Sequence, residues 1–149
     1  MQKITLAKTA GFCFGVNRAV NLLEEMVEKG EKACTLGPII HNPQVISYFE
    51  SHGVRVIEHP SECAPDETLV VRTHGVPKEI LQEIEAMPVR TCNATCPFVT
   101  KIHKIVRENS TPENVTLIAG DKAHPEVIGI RSYCNGRSFV FNNYEELEE

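Results

Sequence analysis

The stretch Ala33-Cys34-Thr35-Leu36-Gly37-Pro38-Ile39-Ile40-His41-Asn42-Pro43, continued to Ile57, reads as one strand–helix–strand unit and decides the fold. Ala33–Leu36 is a short strand. Asn42 is a helix N-cap, with Pro43 at the first helical position, where its missing N–H costs nothing. Val45, Ile46 and Phe49 recur at helical spacing as the inward stripe, Gly53 ends the helix, and Val54–Ile57 is the next strand. Strands joined through a helix run parallel, connected by a right-handed crossover. His41 falls in the loop between strand end and helix cap. In an open parallel sheet that edge gathers ligands, because strand ends converge there and helix N-termini point N–H groups at anions.

The same alternation extends outward in both directions. Lys3–Ala7 reads as a strand, and Val16–Lys29 as a helix with Val16, Val20, Leu23 and Val27 on one face and Gly30 closing it. After the turn-rich Glu58–Glu67 comes a strand at Thr68–Arg72. Pro77 opens a helix carrying Ile80, Leu81 and Ile84, stopped before Pro88, and Val89–Thr91 is a brief strand. Pro97 starts a helix in which Val99, Ile102, Ile105 and Val106 share a face. Val115–Ala119, a helix from Pro125 to about Tyr133, and Ser138–Phe141 complete the series. The fold class is α/β, alternating βα units with mainly parallel sheets. A break near Cys96–Val99 divides it into a first lobe, residues 1–96, and a second, incomplete lobe, residues 97–149. Asn142–Glu149 has the cap and acidic first turn of a helix that then stops, so a longer protein is expected.

Bulk properties exclude several classes. The 149 residues carry a net charge of −5 with no basic stripe, which argues against nucleic acid as a partner. No apolar run reaches the length of a membrane span, and the N-terminus lacks the layout of a signal peptide. A cytoplasmic chain is expected, and a reducing compartment keeps its six cysteines as thiols. Cys34, Cys63 and Cys134 read as small buried apolar residues.

Cys13, Cys96 and three histidines carry the chemistry. Cys13 lies between Gly11 and Gly15 just before a helix, and Cys96 precedes Pro97 at another helix start; a helix N-terminus favours the thiolate that metals require. Cys92, four residues before Cys96, completes no zinc knuckle. His41, His74 and His124 all occupy loops ahead of helices, where each imidazole can donate a hydrogen bond to phosphate. His52, His59 and His103 read as structural. Glu126, two residues after His124, is either a first-turn carboxylate favoured by the helix dipole or a proton donor to the same site. Three readings stay open on residues alone. One is a zinc-dependent hydrolase using His41, His74 and His124 with Glu126 as general base. Another is an iron–sulfur enzyme with thiolate ligands and imidazoles on the substrate. The third is a non-catalytic phosphate-binding remnant. A zinc deaminase is excluded because no Pro-Cys-x-x-Cys follows His124-Pro125-Glu126.

Five stretches match one family in order: Ala10–Val16, Gly37–Val45, Arg72–Val76, Asn93–Val99 and Ala123–Val127. The chain resembles the LytB/IspH family, the 4-hydroxy-3-methylbut-2-enyl diphosphate reductases, which close the methylerythritol phosphate route to isoprenoids. The resemblance implies two of the three lobes of a trefoil-like α/β reductase around a 4Fe–4S cluster held by one cysteine from each third. Carried over, Cys13 and Cys96 are two metal ligands, with the third expected beyond Glu149. His41, His74 and His124 become the substrate-binding ring on the diphosphate, and Glu126, with His124, the catalytic proton relay. The implied reaction removes the allylic hydroxyl as water, giving isopentenyl and dimethylallyl diphosphates, with electrons from a donor such as ferredoxin or flavodoxin. Family members are about twice as long, so this chain alone is expected to turn over little. Asn93 stands where the family commonly has an acidic residue, and Cys92 has no family role.

Overall fold

The structure is a computed structural model that describes residues 3–148. Among these residues, six helices and six strands follow one another, alternating except between β2 and β3: α1 (Phe14–Glu28), β1 (Ala33–Leu36), α2 (Pro43–Ser51), β2 (Arg55–Ile57), β3 (Thr68–Val71), α3 (Lys78–Ala86), β4 (Arg90–Asn93), α4 (Pro97–Asn109), β5 (Val115–Ala119), α5 (Pro125–Ser132), β6 (Arg137–Phe141) and α6 (Tyr144–Glu148). A 3-10 turn at Pro60–Glu62 interrupts the connection from β2 to β3.

Four strands form a parallel sheet in the order β2-β1-β3-β4, with Cys34 opposite Arg55 on one side and Leu69 on the other. The chain winds outward from β1 to β2, then returns to place β3 on the far side of β1. Strand order therefore reverses between β1 and β3, and the loops leaving their carboxyl ends flank a crevice of the kind where ligands bind in doubly wound sheets. Those loops carry His41 and His74.

Both faces of this sheet are covered, which is why β1 and β3 are buried at every position rather than alternately. On one face Ala19 and Leu23 of α1 and Phe49 of α2 pack with Ile39, Ile40, Val54 and Val70. On the other, Ile84 of α3 packs with Cys34, Leu36, Ile57, Leu69 and Val71. Asn42 caps α2 as its sequence implies, its side-chain oxygen accepting from the N–H groups of Gln44 and Val45 at 3.1 and 3.2 Å. A separate two-stranded parallel sheet pairs β5 with β6, Leu117 opposite Phe139. Its small core is Ile118, Val127 and Val140.

Three local readings are corrected. Lys3–Ala7 forms no strand: Ile4 and Leu6 are 93% and 82% exposed, and no described strand pairs with them. Alternating apolar residues make a strand only where a partner ladder takes up their N–H and C=O groups. The inward stripe of α4 is Val99 and His103, at i and i+4, whereas Ile102 and Ile105 are 37% and 48% exposed. His103 replaces them because it stacks on Tyr133, ring centroids 4.4 Å apart. Finally, α1 begins at Phe14, two residues before the apolar stripe, which makes Cys13 its N-cap. No helix among the described residues is long and apolar enough to cross a membrane.

Candidate functional site

The carboxyl edge of the first sheet is fastened loop to loop. Thr73, just beyond β3, is buried and donates both its hydroxyl (2.9 Å) and its backbone N–H (3.3 Å) to the carbonyl of Ile39 in the loop after β1. Gly37 has a positive φ of 68°, and a Cβ there would strike the Arg72 guanidinium lying over it. His74 projects from a tight turn closed by Gly75 N–H on Arg72 O at 3.0 Å, with Gly75 at φ 72°. These contacts bring the His41 and His74 rings to 4.5 Å, centroid to centroid.

His124 arrives from the other side as the N-cap of α5. Its ring stands 6.2 Å from that of His41 and 5.7 Å from that of His74. One ring nitrogen from each of the three lies within 4.8 Å of the others. His124 Nδ1 accepts from the backbone N–H of Glu126 at 3.2 Å, so in the neutral ring Nε2 carries the proton and is the donor. His41 is exposed and His74 half-buried. Burial lowers the His74 pKa from 6.5 to about 4, and the neighbouring His41, His124 and Arg72 charges push the same way. The result is a cluster of donors with one member kept neutral, a setting whose electrostatics an anion would relieve. Glu126 occupies the second position of α5, partly buried.

The two thiols attach to the same edge. Cys96 is the N-cap of α4, and its N–H donates to Thr73 O at 2.9 Å, one residue from His74. Cys13 is the exposed N-cap of α1. Neither cysteine makes a side-chain cap hydrogen bond, so both sulfurs are uncommitted at helix N-termini. The two helix starts are in contact: a Cβ built on Gly15 would meet Cys96 Sγ at 2.5 Å and its Cβ at 3.0 Å. Arg18 holds this junction by donating to the carbonyls of Thr95 (3.2 Å) and Asn93 (3.4 Å). Asn93 in turn accepts the Thr95 N–H on Oδ1 at 3.0 Å, a task a carboxylate oxygen performs equally well.

Sequence reasoning missed Arg18, Thr73 and Arg72, although the last two lie inside a motif it used. Their signal was there: an arginine in the first two turns of α1, and a polar pair ending a fully buried strand. The other four cysteines do not join the site. Cys92 packs against the first core, Cys34 and Cys63 lie in the second, and Cys134 packs on the third.

A covered parallel sheet whose strand order reverses between β1 and β3, with His41 and His74 in the loops at that point, defines the doubly wound class of α/β proteins, in which ligands bind at such a switch point. The chain belongs to the LytB family, whose model, described as LytB protein, matches residues 4–149. It is 41% identical over 150 residues to the 4-hydroxy-3-methylbut-2-enyl diphosphate reductase of Caldanaerobacter subterraneus subsp. tengcongensis, covering 98% of this chain and 52% of that protein. The enzyme of the same name from Geobacter metallireducens is 44% identical over 144 residues, with 97% and 51% covered. Among solved structures, that of (E)-4-hydroxy-3-methyl-but-2-enyl diphosphate reductase, the terminal enzyme of the non-mevalonate pathway, aligns with a TM-score of 0.77 at 39% identity, covering 97% of this chain and 52% of that one. The Plasmodium falciparum E-1-hydroxy-2-methyl-but-2-enyl-4-diphosphate reductase aligns with a TM-score of 0.82 at 26% identity, with 95% and 45% covered. The chain thus spans about half the length of the curated relatives it matches.

Proposed function

We propose that the protein to which this chain belongs is a 4-hydroxy-3-methylbut-2-enyl diphosphate reductase, and that residues 1–96 and 97–149 contribute two of its three lobes. The observation that carries this is the convergence of three imidazoles, ring nitrogens within 4.8 Å, on the edge that also holds Cys96. His41, His74 and His124 bind the diphosphate. Each charge-assisted hydrogen bond to its oxygens is worth roughly 1.5–3 kcal/mol. His124 donates from Nε2. His74 enters neutral and takes up a proton as the anion arrives, since negative charge raises an imidazole pKa.

Cys13 and Cys96 suit an iron–sulfur cluster: soft ligands, free of cap hydrogen bonds, at helix N-termini that favour thiolate. They supply two ligands, and the third comes from outside these residues. When bound, a 4Fe–4S cluster supplies electrons and a Lewis-acidic iron. The overall change adds two electrons and two protons to the allylic alcohol, breaks its C–O bond, and releases water with isopentenyl or dimethylallyl diphosphate. Glu126 holds one of those protons, beside the His124 ring whose tautomer its own backbone N–H fixes. A one-electron donor of the ferredoxin or flavodoxin type supplies the electrons.

Zinc held by the three imidazoles is the rival that the same convergence allows. Family membership sets it second, and metal analysis separates them: iron with sulfide supports the reductase, zinc alone the hydrolase. The deciding assay is anaerobic reductase turnover. The full product of the gene converts the allylic diphosphate, while these 149 residues alone turn over little. Robust turnover by the 149 residues overturns the fragment reading, and none by the full product overturns the reductase.

A further inference from the structure

A second convergent set of ligand-type side chains lies in the core beneath α3. Cys34 in β1, Cys63 just after the 3-10 turn and Glu67 just before β3 are 0%, 9% and 7% exposed. Their sulfur and carboxylate oxygen atoms lie within 4.8 Å of one another. Cys63 and Glu67 share the β2–β3 connection, where a turn closed by Glu67 N–H on Ala64 O at 3.0 Å brings them together, and Cys34 meets them from β1, 29 residues earlier than Cys63 in the chain. We propose that Cys34, Cys63 and Glu67 form a buried three-ligand site for a thiophilic divalent cation of the zinc class, distinct from the imidazole rim.

Charge and hydrogen-bond accounting support the assignment. Two thiolates and a carboxylate sum to −3, a divalent cation brings +2, and Arg55 closes the remainder. Arg55 grips Glu67 with both arms, Nε on Oε1 at 2.8 Å and Nη2 on Oε2 at 2.7 Å, and Ala64 N–H adds a third bond to Oε2 at 2.9 Å. A carboxylate offers about four lone-pair positions. Three are taken by these N–H groups, and both sulfurs lie within 4.8 Å of the carboxylate. A cation held between the sulfurs and the carboxylate fills the remaining position. Binding forms two metal–sulfur bonds and one metal–oxygen bond and releases the two thiol protons to solvent, with no change of oxidation state.

A disulfide between Cys34 and Cys63 is the competing fate, and it suits the site less well. Disulfide formation needs a thiolate to attack, whereas burial and the adjacent Cys63 thiol push Cys34 far towards its protonated form. A bound cation deprotonates a thiol outright.

The test is cadmium titration of the 149-residue chain carrying Cys13→Ser and Cys96→Ser, followed by ultraviolet thiolate-to-metal charge transfer. Histidine-bound cadmium gives no such band, so the rim stays silent. The site predicts one cadmium per chain, a band amplitude of two thiolates, two protons released, displacement by zinc, and a higher thermal midpoint with either metal. Cys34→Val and Cys63→Val, each added to that background, abolish the band or weaken affinity at least tenfold. Cys63 lies in a loop outside the strands, so its replacement tests the site even if the β1 variant does not fold. Absence of the band at millimolar cadmium, a band that survives both replacements, or a chain isolated two hydrogens light with Cys34 joined to Cys63 overturns the proposal.

Discussion

Replacing Gly15 by alanine places one methyl group between α1 and the thiol at the start of α4. The new Cβ falls 2.5 Å from Cys96 Sγ and 3.0 Å from Cys96 Cβ, whereas apolar atoms settle near 3.5–4.0 Å. The sulfur or the helix must move by about 1 Å. Overpacking of this kind costs roughly 1–3 kcal/mol. Against it stands helix propensity, since alanine is favoured over glycine within a helix by about 1 kcal/mol. Turning the thiol away leaves the Cβ contact, because Cys96 N–H is tied to Thr73 and Arg18 clamps the preceding carbonyls, fixing the Cys96 backbone. The clash outweighs propensity, and Gly15→Ala lowers stability by about 1 kcal/mol. For a chain of this size that is a fall of about 2–4 °C in Tm. Calorimetry or denaturant titration reads the stability, and iron content after anaerobic reconstitution of the full gene product reads the thiol geometry. Iron binding falls with stability. A variant more stable than wild type, as propensity alone demands, with iron content unchanged, would refute the idea that Gly15 exists to admit Cys96.

Acid should destabilise the chain through His74. Its pKa near 4 in the folded state lies below the ordinary 6.5, so the unfolded chain binds the extra proton and stability falls as pH drops from 6.5 towards 4. The full shift corresponds to about 3 kcal/mol, reduced to about 1–2 by the partial exposure of the ring; His74→Asn flattens denaturant midpoints measured over this range, and an unchanged slope contradicts the assignment. His41→Ala removes one anion donor and should weaken diphosphate binding by roughly 10- to 100-fold in calorimetric titration. Cys13→Ser leaves diphosphate affinity of the metal-free chain unchanged while iron binding is lost, and a parallel loss of affinity would join thiol and anion sites into one. Asn42→Ala removes two hydrogen bonds from the start of α2 and costs about 1 kcal/mol by denaturant titration.

The alternation of elements was legible because each βα junction writes its own punctuation: Asn42-Pro43, Pro77, Cys96-Pro97 and His124-Pro125 all fall at helix starts. The histidine cluster was legible as topology, since all three histidines lie in pre-helix loops, His41 and His74 at the carboxyl edge of the first sheet and His124 after β5 of the second. What sequence could not supply was packing between elements distant in the chain. The apolar pattern of Lys3–Ala7 carries no information about whether a neighbouring strand is present. Val99, Ile102, Ile105 and Val106 are all apolar, and only the ring of Tyr133 decides that His103 turns inward while Ile102 and Ile105 stay exposed. The Cys34, Cys63 and Glu67 cluster is likewise invisible in a linear reading. Cys34 and Cys63 look like ordinary core thiols until the β2–β3 connection folds back over β1. Arg72 lay in view within its motif, but its position over Gly37 depends on the Cβ that Gly37 lacks.

Iron and sulfide analysis of the anaerobically reconstituted full gene product, beside its Cys13→Ser and Cys96→Ser variants, tests most directly whether the two helix starts serve one centre. A shared centre requires that either replacement strips iron and sulfide together and bleaches the visible absorbance to the same low level. Full iron and sulfide retained after loss of either sulfur would contradict it.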